Sequence, residues 1–492
     1  MTITSHQSGV NGVSLSGTGS QTVVRLRRRQ VADRNCCRPP DTASLGVVPK
    51  AVNLDPAALL PGLRRMADRL FVTDLPPVIM LRQEVRSPRV DDPGERAKAE
   101  VCRLLAKTHR KPGPIAVGIG SRGIVNHVAI VRGTVAALRS AGWQPFLVPA
   151  MGSHGAATAE GQASVLMTYG ITEAAVGAPV RATMETVVVG TLPDGTPWHL
   201  DRLAAEAGAF MLVGRVKPHT GFTGPVESGP AKMCCVGLGK QAGAQLMHNA
   251  GPAGLVRRIP AVARLAEAAG LLVGALAVVE NQRDQTAIVA GLSPADVGGA
   301  GEEVLLRKAR KMMPRLPFAS VDVLVIDQMG KDISGSGMDT NVINRFRIVG
   351  LEESGEPFIT AIAVMRLTEA THGNAMGIGN ADFIPATLLG QIDLEALYTN
   401  AITAGPMAIE RPHLPMVLAT GRDAVRAAIT ACGVPVDRIR LAWIHDTLHT
   451  EVIGVSPALQ AEHPELAVIR ETGALPFGED GALAPLTQAV FE

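Results

Sequence analysis

Short, uniformly apolar runs alternate with helix-length amphipathic stretches along this chain, and that alternation limits its folds more than any other feature. Pro114 to Gly118 (PIAVG), Gln144 to Ala150 and Ala209 to Val213 each read as a strand covered on both faces. Between them, Val125 to Ala141 and Thr158 to Tyr169 carry helical apolar spacing. Leu54 to Leu70, Glu95 to Thr108, Ile259 to Ala269 and Gly299 to Met312 add four more helices. Val78 to Leu81 predicts a strand, Val187 to Leu200 a hairpin turning at Pro193-Asp194-Gly195, and Leu271 to Asn281 a strand paired with Thr286 to Gly291. Beyond Pro314 and Pro317 a new buried strand opens at Val321 to Asp327 (VDVLVID). Further elements follow at Thr360 to Leu367, Leu394 to Ala404, Met416 to Ala419, Arg422 to Cys432 and Ile439 to His445. Strands interleaved with helices build parallel sheets. The expected fold is α/β: two Rossmann-like domains with mostly parallel sheets and an active-site cleft between them. Residues 1–45 are expected to be a disordered tail, 46–313 an N-terminal domain and 318–492 a C-terminal α/β domain.

The bulk properties narrow the function classes. A chain of 492 residues exceeds a single ordinary core. A formal net charge of +2 gives no electrostatic case for a nucleic-acid or membrane-surface partner, and 3% aromatics disfavours a base-stacking surface. The longest mostly apolar segment, Ala261 to Val279, is interrupted by Arg264 and Glu267, so no membrane span is expected. Cys36-Cys37 and Cys234-Cys235 lack the spacing of zinc or redox sites, and this cysteine usage fits a reducing cytoplasm.

The chemistry-bearing residues follow strand ends. Gly118-Ile119-Gly120-Ser121-Arg122-Gly123 is a G-x-G-x-x-G run between a strand and a helix, a turn that aims backbone N–H groups at a phosphate. The next strand ends Pro149-Ala150-Met151 without the acid that a dinucleotide ribose needs, which weakens the NAD reading. Gly152-Ser153-His154-Gly155 follows that strand, and His219 follows Ala209 to Val213. Ligands of open parallel sheets sit beyond the strand C-termini, so Arg122, His154 and His219 are placed to face one crevice. From Gly214 to His248 the chain holds two histidines, three lysines and seven glycines, and reads as a Gly- and Pro-punctuated loop rather than a regular element. Gln328 and Lys331 end the VDVLVI strand, where they could bind a small carboxylate. His445 and His449 read as structural.

Taken in order, Ser121-Arg122, Gly152-Ser153-His154, Pro218-His219 with its Gly-Phe-Thr-Gly loop, Lys232, His248 and Gln328-x-x-Lys331 resemble the nickel-pincer-nucleotide-dependent lactate racemase family, from about Val78 to the C-terminus. The resemblance implies a racemase or epimerase of a small 2-hydroxy acid working by reversible hydride transfer. It implies a covalently bound nickel-pincer nucleotide (nickel pyridinium-3,5-bisthiocarboxylate mononucleotide), and hence cofactor-synthesis proteins as partners. Lys232 would carry the cofactor, His248 would ligate nickel, and His154 and His219 would be the paired acid/base groups. Gly120, Ser121 and Arg122 would contact the cofactor, while Arg122, Gln328 and Lys331 would bind substrate. Two departures stand out. Pro225-Val226-Glu227-Ser228 lengthens the loop between His219 and Lys232, which leaves Lys240 as the alternative carrier, and Ile119-Gly120-Ser121 replaces an acidic residue before the Arg. An NAD-dependent 2-hydroxyacid dehydrogenase, a zinc hydrolase built on His154, His219 and His248, and a non-catalytic cofactor-binding protein are the alternatives. A homo-oligomer is compatible with all of these readings.

Overall fold

Each apolar run that reads as doubly buried does feed two cores. In the computed structural model, which describes residues 56–491 apart from 86, 122, 352 and 354 and leaves aside the side chains at 56–59, 403, 472 and 489–491, the strands are fifteen in number among the described residues. They are β1 (Val78–Arg82), β2 (Pro114–Ile119), β3 (Gln144–Pro149), β4 (Thr186–Thr191), β5 (Pro197–Asp201), β6 (Phe210–Arg215), β7 (Leu272–Glu280) and β8 (Thr286–Leu292). After these come β9 (Ser320–Met329), β10 (Phe358–Leu367), β11 (Phe383–Pro385), β12 (Met416–Leu418), β13 (Leu441–Ile444), β14 (Val452–Val455) and β15 (Ala467–Gly473). The expected tail, residues 1–45, lies outside the described residues.

The first sheet runs β3-β2-β6-β7-β8, parallel except for the antiparallel β7–β8 hairpin. Its strands alternate as pleating requires. Phe210 and Leu212 of β6 enter one cluster with Phe146, Val148 and Trp198, while Met211 and Val213 enter another with Val117, Leu147 and Ile130. The second sheet runs β12-β11-β10-β9-β13-β14-β1-β15. Its β12 to β13 portion is parallel, and β14, β1 and β15 add antiparallel pairs. Here Leu324 and Ile326 of β9 pack to one side and Val323 and Val325 to the other. The architecture is therefore α/β with mostly parallel sheets. Among the described residues, no helix is long and apolar enough to cross a membrane.

Strand β1 was expected in the segment 46–313, yet it pairs with β14 and β15 in the second sheet. The chain thus starts its described strands in one sheet, builds the other, and returns. An apolar pattern tells that a strand is buried but not which neighbour completes its ladder. The stretch after β6 also differs from the expected loop. Residues 216–229 are irregular; then come a turn of helix, Pro230–Lys232, a π-helical segment, Met233–Gly237, and, after a two-residue turn, the helix Lys240–His248. Pro230 at the first helical position presets that turn. The glycine run is corrected as well. Gly118 lies inside β2, where a Cβ would stand 2.7 Å from Leu212 Cδ2, and the helix His127–Ser140 starts four positions after Gly123. Its first glycine serves strand packing, and the run is not a compact strand–turn–helix phosphate loop.

Candidate active site

Parallel strands β2, β3 and β6 lie side by side, so the segments leaving their C-terminal ends meet at one edge of the sheet. A cavity of about 440 Å³ opens there. Gly120 and Ser121 line it from the β2 end, His154 from the β3 end, and Lys217, His219 and Lys232 from beyond β6. Lys331 and Ser334 line it from beyond β9 of the second sheet. Arg122 lies outside the described residues.

Hydrogen bonding assigns the two histidine tautomers. The His154 Nδ1 stands 2.8 Å from the Met151 carbonyl, which can only accept, so Nδ1 carries the proton and Nε2 the lone pair in the neutral ring. His219 is the reverse. The Gly221 N–H donates to its Nδ1 at 2.9 Å, so the neutral ring bears its proton on Nε2. Sequence position gives no hint of this difference, which comes entirely from the backbone groups each ring meets.

The His219 loop is tied down from several directions. The buried Glu227 carboxylate accepts from the His219 and Gly224 amides at 2.7 and 2.9 Å and pairs with Arg310. The Lys217 amide donates to Ser228 Oγ at 3.2 Å, and Ser228 Oγ donates to the Lys217 carbonyl. From the second sheet's side, Thr340 Oγ1 donates to the Thr220 carbonyl at 3.0 Å and Lys217 pairs with Asp339 at 3.0 Å. The Phe222 ring lies 4.4 Å from the His219 ring, centre to centre. Pro225 to Ser228, which reads in the sequence as surplus length, is thus the staple that fixes His219. Glu227 is a positioning residue that sequence reasoning missed, and its only sequence signal was that extra length.

Lys232 sits at the end of its short helical turn with its ammonium 5.8 Å from the Phe222 ring centre. Directly after it the backbone widens into the π-helical segment, a distortion frequent at functional sites. Beneath the turn lies Glu302, wholly buried, accepting from Gly298 N at 2.8 Å and from Ala231 N at 3.2 and 3.3 Å. Gly229 has φ +133°, and a Cβ there would stand 2.5 Å from Glu302 Oε1, so glycine is required for this close approach. Burial, opposed by those two amides, holds the Glu302 carboxyl up at about 7. Its folded pKa is above the unfolded value, so the stabilisation contributed by the neutral carboxyl is full below pH 4.5 and is lost as pH rises through about 7. Glu302→Gln removes that titration. In urea unfolding, the stability of the wild type relative to Glu302→Gln is expected to fall by about 3 kcal/mol between pH 4.5 and 8. A pH-independent difference would contradict it.

His248 closes the helix Lys240–His248 and does not line the cavity itself. It is nonetheless within electrostatic reach of Lys232 and His154. Burial, then the Lys232 charge and the nearby His154, lowers its pKa to about 4, while a hydrogen bond to the Ala244 backbone acts the other way. The ring is therefore neutral at pH 7 with one nitrogen lone pair available in chemical type for a metal. Lys240 is a different case. Its ammonium is fully buried, paired with the equally buried Asp201 at 3.0 Å and donating to Pro149 O at 2.5 Å and Gln162 Oε1 at 3.1 Å. It belongs to the core, not to the cavity.

The substrate-side residues divide. Lys331 reaches the cavity, held by Gly335 O at 2.8 Å and Asn400 Oδ1 at 2.6 Å. Gln328 is not brought there. Its amide meets His445 Nε2 at 3.0 Å and Asp446 Oδ2 at 3.3 Å, on the side of the strand facing β13. Among the described residues, no three His, Cys, Asp or Glu side chains converge as a metal site. His154, His219 and His248 therefore do not form the three-histidine set considered for zinc. Tyr169, whose hydroxyl donates to the Ser121 carbonyl at 2.6 Å and whose ring lines the cavity, is a further residue the sequence did not flag.

No known family matches the chain, and no curated protein matches it. Among solved structures, a lactate racemase apoprotein from Thermoanaerobacterium thermosaccharolyticum is similar over 75% of this chain and 88% of its own, at 12% identity and a TM-score of 0.42. A protein from Thermotoga maritima is similar over 56% of this chain and 71% of its own, at 14% identity and a TM-score of 0.40. Similarity of this degree assigns neither family nor activity.

Proposed function

We propose that this cleft interconverts the two configurations of a small 2-hydroxy acid, using a nickel-pincer nucleotide carried on Lys232. The observation that carries the reading is the pair of histidines lining one cavity in opposite tautomers. His154 presents an Nε2 lone pair, and there it takes the hydroxyl proton of one enantiomer. His219 presents an Nε2–H, which donates a hydrogen bond to the same oxygen, and the proton held on His154 Nε2 returns to that oxygen when the carbinol centre is rebuilt in the other configuration. Turnover in the opposite sense uses the same proton on His154, so both rings end each cycle as they began it.

The chain's residues fit the nucleotide's needs. Lys232 brings a primary amine to the cavity wall, and His248 brings a neutral imidazole held by its own helix, a donor suited to nickel. When bound, the group would supply the hydride acceptor that none of the twenty side chains provides. The substrate carboxylate is assigned to Lys331, which the Gly335 carbonyl and Asn400 orient from the opposite wall. The protein staple around His219 keeps the acid/base geometry fixed while the ligand changes configuration. Proteins that synthesise and load the nucleotide are partners on this reading.

The test is expression in a host that makes the pincer nucleotide, followed by peptide mass spectrometry, metal analysis and chiral assay of small 2-hydroxy acids. A nucleotide-sized adduct on the Lys232 peptide, about one nickel per chain and interconversion of enantiomers are expected. His248→Ala is expected to keep the adduct and lose most of the nickel, at least about tenfold in metal affinity. Full nickel in that variant would remove His248 from the site. No adduct on the wild type, under conditions where a known racemase loads, would overturn the function itself.

A further inference from the structure

A buried imidazole at the start of the helix His127–Ser140 has no hydrogen-bond partner among the described residues. His127 opens the helix His127–Ser140 and is 4% exposed, yet among the described residues neither of its ring nitrogens meets a hydrogen-bond partner. Buried polar groups in native proteins are almost always satisfied, because leaving one unpaired forfeits its hydration with nothing in return. The ring lines a cavity of about 520 Å³, together with Asn126, Val128, Ala129, Arg132 and Tyr169. This cavity shares Gly123, Ile124 and Tyr169 with the larger one but contains neither Lys232 nor the two active-site histidines.

The other groups around the ring favour negative charge. Asn126 is the N-cap residue but makes no side-chain cap; its amide turns instead to Thr286 Oγ1 at 3.2 Å. The amides of Val128 and Ala129 fall in the first helical turn, where no intrahelical carbonyl can reach them. The N-terminal end of a 14-residue helix adds the positive pole of its dipole. Arg132 lines the cavity from the next turn, and the Arg215 charge also reaches the ring. The neighbouring carboxylate, Glu280, is already engaged by Arg215 and by the Val125 N–H at 2.6 Å. Burial, with Arg215, lowers the His127 pKa to about 4, so at neutral pH the ring offers one N–H and one lone pair.

We propose that this cavity binds a phosphate group, with His127, the first-turn amides and Arg132 as its donors. Several donors converging on a helix N-terminus suit an anion with three equivalent oxygens better than a planar carboxylate. The phosphate is either free or the monoester of a nucleotide, and the site works regardless of what reaction the larger cleft performs.

The experiment uses the full chain and follows thermal unfolding with inorganic phosphate, with adenosine monophosphate, and with chloride at matched ionic strength. Phosphate is expected to raise the wild-type Tm above the chloride control. A larger rise with adenosine monophosphate at equal concentration identifies a nucleotide monoester, and an equal or smaller one identifies free phosphate. His127→Leu is expected to raise the Tm without phosphate, since it removes an unsatisfied ring, and to weaken phosphate binding at least about tenfold. Arg132→Gln, at an exposed position, is expected to leave the Tm unchanged without ligand and to weaken phosphate binding about fivefold. A wild type that responds to phosphate no more than to chloride overturns the proposal and leaves a trapped water as the ring's partner. Equal phosphate responses in the wild type and both variants overturn it too.

Discussion

Lys232→Ala, expressed alongside the pincer-nucleotide pathway, is expected to carry no adduct, hold no nickel above the level of unloaded chain and interconvert no 2-hydroxy acid. The loss is complete rather than partial because a covalent tether needs the amine itself. Lys232→Arg is expected to fail equally, since a guanidinium with a pKa above about 12 is no nucleophile at neutral pH. Folding should be nearly untouched. Lys232 is half-buried at a cavity wall, and its substitution is expected to change unfolding free energy by about 1 kcal/mol or less. Lys240→Met is the control, expected to retain the adduct because that lysine is sealed against Asp201. Peptide mass spectrometry decides the matter, and an adduct that persists in Lys232→Ala would move the tether elsewhere.

Asp201→Asn is expected to be the most destabilising single change outside the cleft, by about 3–5 kcal/mol in urea unfolding at pH 7. Both partners of the Asp201–Lys240 pair are fully buried, so removing the carboxylate strands an ammonium in the core. Asparagine is the informative replacement, because Asp201 Oδ1 also accepts from Ala204 N at 3.1 Å as a helix cap, and an amide oxygen preserves that bond. Burial already lowers the Lys240 pKa against the pull of Asp201. Without the carboxylate it falls further below its unfolded value, so the variant's deficit should shrink as pH rises toward 10.5. Adding Lys240→Met to Asp201→Asn is expected to recover most of the loss, since an apolar side chain of similar length needs no counter-charge. A deficit under 1 kcal/mol for Asp201→Asn would show that water reaches the pair.

The sequence by itself determined the α/β class, because a run such as Phe210 to Val213 buries alternate residues in two different clusters and can do so only as an interior strand. It also indicated the edge of the first sheet at which the cavity opens, since His154 and His219 follow the parallel strands β3 and β6 and Ser121 follows β2, which lies between those two in the sheet. Local chemistry reaches that far because strand ends are set by local pattern. Tertiary structure alone decided the rest. It sealed Lys240 in the core by placing Asp201 of β5 beside it, and it left Lys232 at the cavity wall. It turned Gln328 toward His445 and Asp446 while leaving Lys331 in the cavity, and it sent β1 to the second sheet. It gave His154 and His219 opposite tautomers through one carbonyl and one amide that no spacing rule specifies. The physical reason is common to the first three. Each depends on a partner brought from far along the chain, and a pairing across that distance is fixed by packing and hydrogen-bond geometry rather than by the identity of either residue. The tautomers are set closer at hand, by backbone groups two and three residues away whose direction the fold of each loop decides.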